Sequence, residues 1–273
     1  MACLLCRPGL SAAQDATGRV VARDTVRPLP APVVKVKKPR PLRTELSGGA
    51  RLNTNGWSLF MEKGWVKESG ERESDLFYNL RIAQIEFSEV KHPKEMKQTN
   101  DVQAVYSDDK PRPYIFGKIN NFYTLKLGYG FRKMIAGKPE PGSVSVYWTG
   151  VGGLSAGILK PYYVDAYVLS GSGVSREQIK YGDEAGGGAF LNEHLVIGGS
   201  GFSKGLNELK FVPGLQFRTG LHFDFARNKK TVLAVAVGAA AELYVKKIEI
   251  MANQKAYPYN FNAFASFQFG KRW

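Results

Sequence analysis

The chain is 273 residues long, with a formal net charge of +14, 44% hydrophobic and 12% aromatic residues, and two cysteines, Cys3 and Cys6. This apolar content excludes an intrinsically disordered protein, and the clustering of both cysteines at one end excludes a fold held by disulfides or a Cys-based metal site. The longest largely apolar runs, such as 232–241, fall short of the roughly 18–20 residues of a membrane-spanning helix. A membrane β-barrel stays open, because alternating strands give a weak hydropathy signal. Thirty glycines, many aromatics and few stretches of helical periodicity point to an all-β chain.

Residues 1–13 read as the remnant of a secretory signal peptide. Leu4, Leu5 and Leu10 are apolar, and Ser11, Ala12 and Ala13 fit a small-residue cleavage site before Gln14. Arg7 and Pro8 interrupt the apolar stretch, and Leu5 is too large to precede a lipidated Cys6. Residues 14–43 hold five prolines and eight basic residues against two acidic ones, which is +6 of the total +14. Proline blocks helix and central strand and favours polyproline II. Thirty such residues reach roughly 90 Å at about 3.1 Å each. This segment is expected to be a periplasmic tether, either a solvated linker or an arm that binds partners or peptidoglycan through Lys35, Lys37, Lys38, Arg40 and Arg43. It has no interleaved aromatics to stack on bases, so nucleic acid is not an expected partner.

From residue 44 onward the chain alternates. Runs 44–52 and 57–66 flank Asn53, Thr54, Asn55 and Gly56, a strong turn signal, and form two strands or one long bent one. In 76–90, Leu76, Tyr78, Leu80 and Ile82 oppose Phe77, Asn79, Arg81 and Ala83. Ile85 and Phe87 then break phase, which suggests a bulge near Ala83 and Gln84. Run 117–132 sets Ile119, Tyr123, Leu125, Leu127, Tyr129 and Phe131 against Asn120, Phe122, Thr124, Lys126 and Arg132. Run 143–163 sets Val146, Trp148, Leu154 and Ile158 against Ser145, Tyr147, Thr149 and Ser155. In 211–225 the odd positions Phe211, Leu215, Phe217, Leu221, Phe223 and Phe225 oppose Gln216, Arg218, His222 and Asp224. The last two runs repeat the pattern, with Leu233, Val235, Val237 and Leu243 opposite Glu242, and Phe261, Phe267, Phe269 and Trp273 opposite Asn262, Phe264, Ser266 and Gln268.

Connections 67–74, 133–142 and 227–230 are short. Connections 91–112, 166–208 and 247–257 are long, and only 53–56 breaks that alternation. Short periplasmic turns and long external loops are the arrangement of outer-membrane barrels, and an even strand number puts both termini on the short-turn side. The non-apolar face carries Glu45, Arg51, Arg81, Lys126, Arg132, Arg218, His222, Asp224 and Glu242 among Gly, Ala and Ser. An eight-stranded barrel has an interior just wide enough for side chains to fill it, and charges of both signs can neutralise one another there. A glycine-rich surface would serve a soluble barrel poorly. Trp57, Trp65, Tyr129, Trp148, Tyr162, Tyr163 and Trp273 near strand ends suit interfacial girdles. The expected fold is therefore an all-β, eight-stranded, antiparallel up-and-down transmembrane β-barrel over 44–273, in a Gram-negative outer membrane with periplasmic termini.

The ending Phe267, Gln268, Phe269, Gly270, Lys271, Arg272, Trp273 resembles the barrel-insertion strand of Gram-negative outer-membrane proteins, with Phe267, Phe269 and Trp273 as its aromatic positions. Residues 89–95, 117–123 and 159–163 are similar to an uncharacterised small outer-membrane barrel family of the Bacteroidota type. The resemblance implies fold and location, with outer-membrane lipid and lipopolysaccharide as surroundings. It carries no catalytic residues. Barrels of this size in that lineage include stand-alone proteins and accessory subunits of secretion or barrel-assembly machines.

Candidate chemistry is sparse. His222 shares a face with Asp224 and Arg218, and a His–Asp pair could activate Ser266 as in a lipid-modifying enzyme, although the polar lumen network is the simpler reading of His222. His92 and His194 fall in loops without metal-ligand spacing, so no metal and no cofactor is expected. Gly186, Gly187 and Gly188 lack the Gly-Lys-Ser/Thr of a phosphate loop. The 166–208 loop is long enough to be functional, as a partner-docking surface or a cap over the barrel mouth. The expected role is a non-enzymatic anchor or accessory subunit of an envelope complex. A His222 enzyme, a small pore and a soluble binder are the alternatives.

Overall fold

The computed structural model describes residues 43–67, 79–100, 112–137, 143–170, 173–184, 188–228 and 230–273. The expected signal remnant and nearly all of the tether, including Lys35, Lys37, Lys38 and Arg40, lie outside the described residues.

Eight strands close a barrel: β1 (Thr44–Asn53), β2 (Gly56–Lys67), β3 (Asn79–Val90), β6 (Asn120–Ala136), β7 (Ser145–Pro161), β11 (Lys210–Asp224), β12 (Thr231–Ile248) and β13 (Tyr257–Arg272). Each pairs antiparallel with the next in that order, and β13 returns to β1. The fold is the expected up-and-down barrel, and 44–66 is two strands. Their tight turn needs Gly56, whose φ is +151° and where a Cβ would lie 2.0 Å from Glu89 O.

The predicted bulge in β3 is absent. Its pairing runs unbroken from Gly56↔Val90 to Lys67↔Asn79 on one side and from Leu80↔Arg132 to Val90↔Phe122 on the other. Leu80 and Ile82 point inward and are 2% and 1% exposed, and Arg81 points outward. Arg81 is therefore not a lumen residue. The physical reason is register: a one-residue slip exchanges the faces of a whole strand. A filled lumen accepts Leu80 and Ile82, which pack on Val151. The slipped alternative would put either Gln84, Glu86 and Ser88 or the upper apolar series on the wrong side.

Lys67, Asn79, Ala136, Ser145, Asp224 and Thr231, at the strand ends, share one end of the barrel with Arg43 and Trp273, which are joined by a 2.9 Å hydrogen bond from Arg43 N to Trp273 O. Turn 54–55 and connections 91–119, 162–209 and 249–256 share the other end. There the long loops fold. A hairpin, β8 (Tyr163–Ser170) and β9 (Gly173–Lys180), joins β10 (Val196–Gly199) in a three-stranded sheet ordered β10-β8-β9. A short ladder, β4 (Lys97–Gln98) with β5 (Tyr114–Ile115), lies in the 91–119 connection. The cap has its own apolar core of Tyr114, Val164, Ala166, Val168, Ile179, Phe190 and Val196.

Candidate functional site: lumen, outer belt and loop cap

Among the described residues the lumen holds ten acidic and basic side chains, each under a tenth exposed: Arg51, Lys126, Arg132, Arg218 and Arg272 against Glu45, Glu62, Glu86, Asp224 and Glu242. Five positive and five negative charges cancel. Near the terminal end, Arg132 Nη1 donates to Glu45 Oε1 at 2.7 Å and its Nη2 pairs with Glu62. Arg272 Nε donates to Glu45 Oε2 at 2.8 Å, and its Nη2 pairs with Asp224. Farther in, Glu86 receives three cations: Arg51, Arg218 at 2.9 Å and Lys126 at 3.5 Å. Lys126 also pairs with Glu242, whose other oxygen accepts the Tyr244 hydroxyl at 2.6 Å. The Arg51 guanidinium is sandwiched by Phe60 at 4.4 Å and Phe264 at 4.8 Å. An apolar plug of Val90, Phe122, Leu159, Val212, Tyr244 and Ile248 closes the column toward the loops.

Eight of the nine expected lumen residues are therefore buried together, and Arg81 is the exception. Glu62, Glu86 and Arg272 were not foreseen. Arg272 was within reach, since it continues the inward series Asn262, Phe264, Ser266, Gln268 and Gly270 by one step.

The alternative His222 chemistry is not assembled among the described residues. His222 is 2% exposed, its Nε2 has no partner, and its ring packs edge-on to Tyr147. Asp224 pairs with Arg272 instead, and Ser266 Oγ donates to Ala236 O. Ala236 separates the two: it pairs with His222 on one side and Ser266 on the other. Ser266 Oγ is thus engaged by the backbone of the intervening strand, and His222 Nε2 makes no hydrogen bond to it. Among the described residues no group of three His, Cys, Asp or Glu could hold a metal ion.

The outer face is a belt of exposed apolar side chains, among them Leu59, Leu127, Leu154, Leu215, Phe217, Leu243 and Phe267. Aromatics bound it at both ends. Toward the loops stand Trp57, Phe87 and Tyr123, with ring centroids 6.3 and 5.9 Å apart, and Phe211, Tyr257 and Tyr259. Toward the termini stand Trp65, Tyr129, Phe269 and Trp273, and Phe131 meets Trp148 at 5.1 Å. On β2 the bounding tryptophans, Trp57 and Trp65, are eight positions apart, and on β6 Tyr123 and Phe131 are spaced alike. At about 3.4 Å per residue and a tilt of roughly 40°, that spacing is about 20 Å along the barrel axis. Polar tips in the belt are satisfied locally: Trp148 Nε1 donates to Thr219 at 2.9 Å and Trp57 Nε1 to Glu89 at 2.7 Å. Tyr162 and Tyr163, read from sequence as girdle residues, belong to the cap. Tyr162 Oη accepts the Ile115 amide at 3.2 Å, and Tyr163 opens β8.

The expected 166–208 docking loop is a folded piece. Phe190, Val196 and Ile197 are buried, whereas Leu191, Val174 and Tyr181 remain exposed. His194 lies exposed in its loop, and His92 is half-buried, its Nδ1 accepting the Lys94 amide at 3.2 Å. Of the glycine triplet, Gly188 precedes a 3-10 turn over Ala189–Leu191, and Gly186 and Gly187 lie outside the described residues.

No protein-family model matches the chain, and no curated protein matches it. Among solved structures, the chain is similar to Ail, the attachment invasion locus protein of Yersinia pestis, at 10% identity and a TM-score of 0.38, covering 86% of this chain and 100% of that one. A second Ail structure, in complex with the heparin analogue sucrose octasulfate, gives 11% identity and a TM-score of 0.36, with 86% of this chain and 100% of that one covered. Neisserial surface protein A is similar at 10% identity and a TM-score of 0.34, covering 86% of this chain and 98% of its own.

Proposed function

We propose that the chain is an outer-membrane β-barrel that anchors a folded outer cap and a basic inner tether, and that it works as a non-enzymatic accessory subunit of a larger envelope complex. The carrying observation is the pairing of faces. The outside is apolar between two aromatic girdles, and the inside is ionic and self-neutralised. Hydrocarbon is the environment that makes the first face favourable. A soluble barrel would bury the apolar face and hydrate the ionic one. The filled lumen also disfavours a pore, since an ion would have to displace paired charges and the apolar plug.

Loop length supports the orientation: the elaborated loops face outward, and Arg43 and Trp273 face the periplasm. In that orientation the cluster Lys35, Lys37, Lys38, Arg40 and Arg43 reaches periplasmic protein partners, and the cap meets partners outside. Lipid and lipopolysaccharide contact the belt. Phe267, Phe269 and Trp273, all on the outer face, present the insertion signal to the assembly machinery.

Detergent extraction of native membranes followed by mass spectrometry tests the role. Co-purifying envelope proteins that are lost on deletion of 14–42, with barrel gel mobility still heat-modifiable, are the expected result. A chain that purifies alone from native membranes, deleted or not, overturns the accessory role. A steady single-channel conductance in planar bilayers overturns the closed lumen.

A further inference from the structure

Lys160 is unlike every other buried cation of the barrel. It continues the outward series Leu154, Ala156 and Ile158 on β7 and stands level with Asn121 of β6. That position is one outward step beyond the Ile158↔Tyr123 pair, and Tyr123 belongs to the loop-end aromatic girdle. On the membrane reading above, on which this inference rests, the ammonium stands at the height of the lipid head groups. Yet Lys160 is only 4% exposed. Connection 200–209 crosses over it as a strap. Phe202 lays its ring over Lys160 Nζ at 4.6 Å, and Gly205 sits so close to Pro161 that a Cβ would come within 2.9 Å of the Pro161 oxygen. Glu208 latches the strap, accepting from Tyr163 Oη at 2.7 Å and from Lys180 Nζ at 2.5 Å.

Lys160 has no counter-ion among the described residues. Among the described residues it makes no hydrogen bond and no ion pair, and the ring of Phe202 is its one charge-compensating contact. The charge acting on it most directly is a second cation, Lys118, whose own carboxylate, Glu95, is 2.7 Å from it. Its Nζ is covered by one ring face and stands beside another cation, so the place is short of negative charge. The strap meanwhile exposes Phe202, Leu206 and Lys204, with Phe202 70% exposed at the girdle's edge. Apolar tips beside unpaired cations at an interface match a lipid whose acyl boundary and phosphate are adjacent.

We infer that Lys160 and Lys204, with Phe202 and Leu206, form a binding site for the phosphate of an outer-leaflet lipid. A phosphorylated glycolipid and an acidic phospholipid offer the same group. Native mass spectrometry of the full chain in non-ionic detergent, titrated separately with diphosphoryl lipid A, phosphatidylglycerol and phosphate-free diacylglycerol, tests it. Wild-type protein is expected to bind one phosphate-bearing lipid about tenfold more tightly than K160M, a single charge-assisted contact, with K160R close to wild type and diacylglycerol unable to tell them apart. Discrimination with lipid A alone assigns a glycolipid, and discrimination with both lipids assigns any lipid phosphate. Equal binding of lipid A and phosphatidylglycerol by wild type and K160M overturns the site. Should K160M lack the heat-modifiable folded band, F202S combined with K204Q is judged by the same comparison. Failure of the membrane reading shows separately, as wild-type protein recovered in the aqueous phase without detergent.

Discussion

Arg218 Nη1 donates to Glu86 Oε2 at 2.9 Å across the lumen, although the two residues are 132 positions apart in the sequence. Glu86 also receives Arg51 and Lys126, so one carboxylate holds three cations from three other strands. Removing one partner from a buried ionic group leaves an uncompensated charge, at about 3–5 kcal/mol. Glu86→Gln is expected to lower the stability of the refolded barrel by that order, read from urea unfolding in lipid vesicles by tryptophan fluorescence. Adding Arg218→Gln should recover part of the loss, because the second change removes one stranded cation. Strict additivity of the two changes would show that the pair is not coupled.

The register of β3 makes an equally sharp contrast between neighbours. Ile82 packs inside on Leu80 and Val151, and Arg81 lies on the exposed face. Ile82→Ala should cost about 2–5 kcal/mol through transfer and cavity terms. Arg81→Ala should stay within about 0.5 kcal/mol, as for other surface changes. The reverse ranking, in the same unfolding assay, would restore the slipped strand.

The strap latch should depend on pH. Hydrogen bonds from Lys180 and then Tyr163 hold the Glu208 carboxyl below its ordinary range. A depressed carboxyl stabilises the latched form above the unfolded value, near pH 4.3, and loses that contribution as pH falls through the latched value. The Lys180 and Glu208 side chains are 32% and 42% exposed, so salt weakens the effect. The protection factor of the Glu208 amide, which donates to Gly205 O at 3.2 Å, should therefore step down at acidic pH once the intrinsic exchange rate is divided out. Glu208→Gln should show faster exchange at neutral pH and no such step.

The barrel was legible because most of its strands keep one simple rule over ten or more residues. From Gly214 to Asp224, β11 alternates Leu, Phe and Thr with Gly, Gln, Arg, His and Asp without a break, and β12 and β13 carry similar alternation. β3 misled because its inward side changes chemistry halfway, from Leu80 and Ile82 to Gln84 and Glu86. Polarity tracks the face only where the lumen is uniformly polar, and here it is layered. The ion pairs were legible as a set and not as partners, since shear and tilt decide which strands meet across the lumen. Lys160 was hidden for a related reason. Its outward parity is plain from Leu154 and Ile158, but its cover, Phe202, arrives from a loop whose path no local pattern specifies.

Phe217 tests the central reading most directly. It lies on the outer face of β11 midway between Phe211 and Phe223 and is 57% exposed. If hydrocarbon surrounds it, Phe217→Lys places a charge near the middle of the apolar belt and should cost about 2–4 kcal/mol. The same change nearer the girdle, at Phe211, should cost about 1 kcal/mol or less, because the depth penalty falls toward the interface. On a water-exposed barrel both substitutions would exchange one surface side chain for another, and neither would depend on depth. Refolding each variant into vesicles and measuring its unfolding free energy separates the two cases. A flat profile from Phe211 to Phe217 would remove the bilayer from the account, because neither the pairing inside the lumen nor the closure of the sheet distinguishes those two positions.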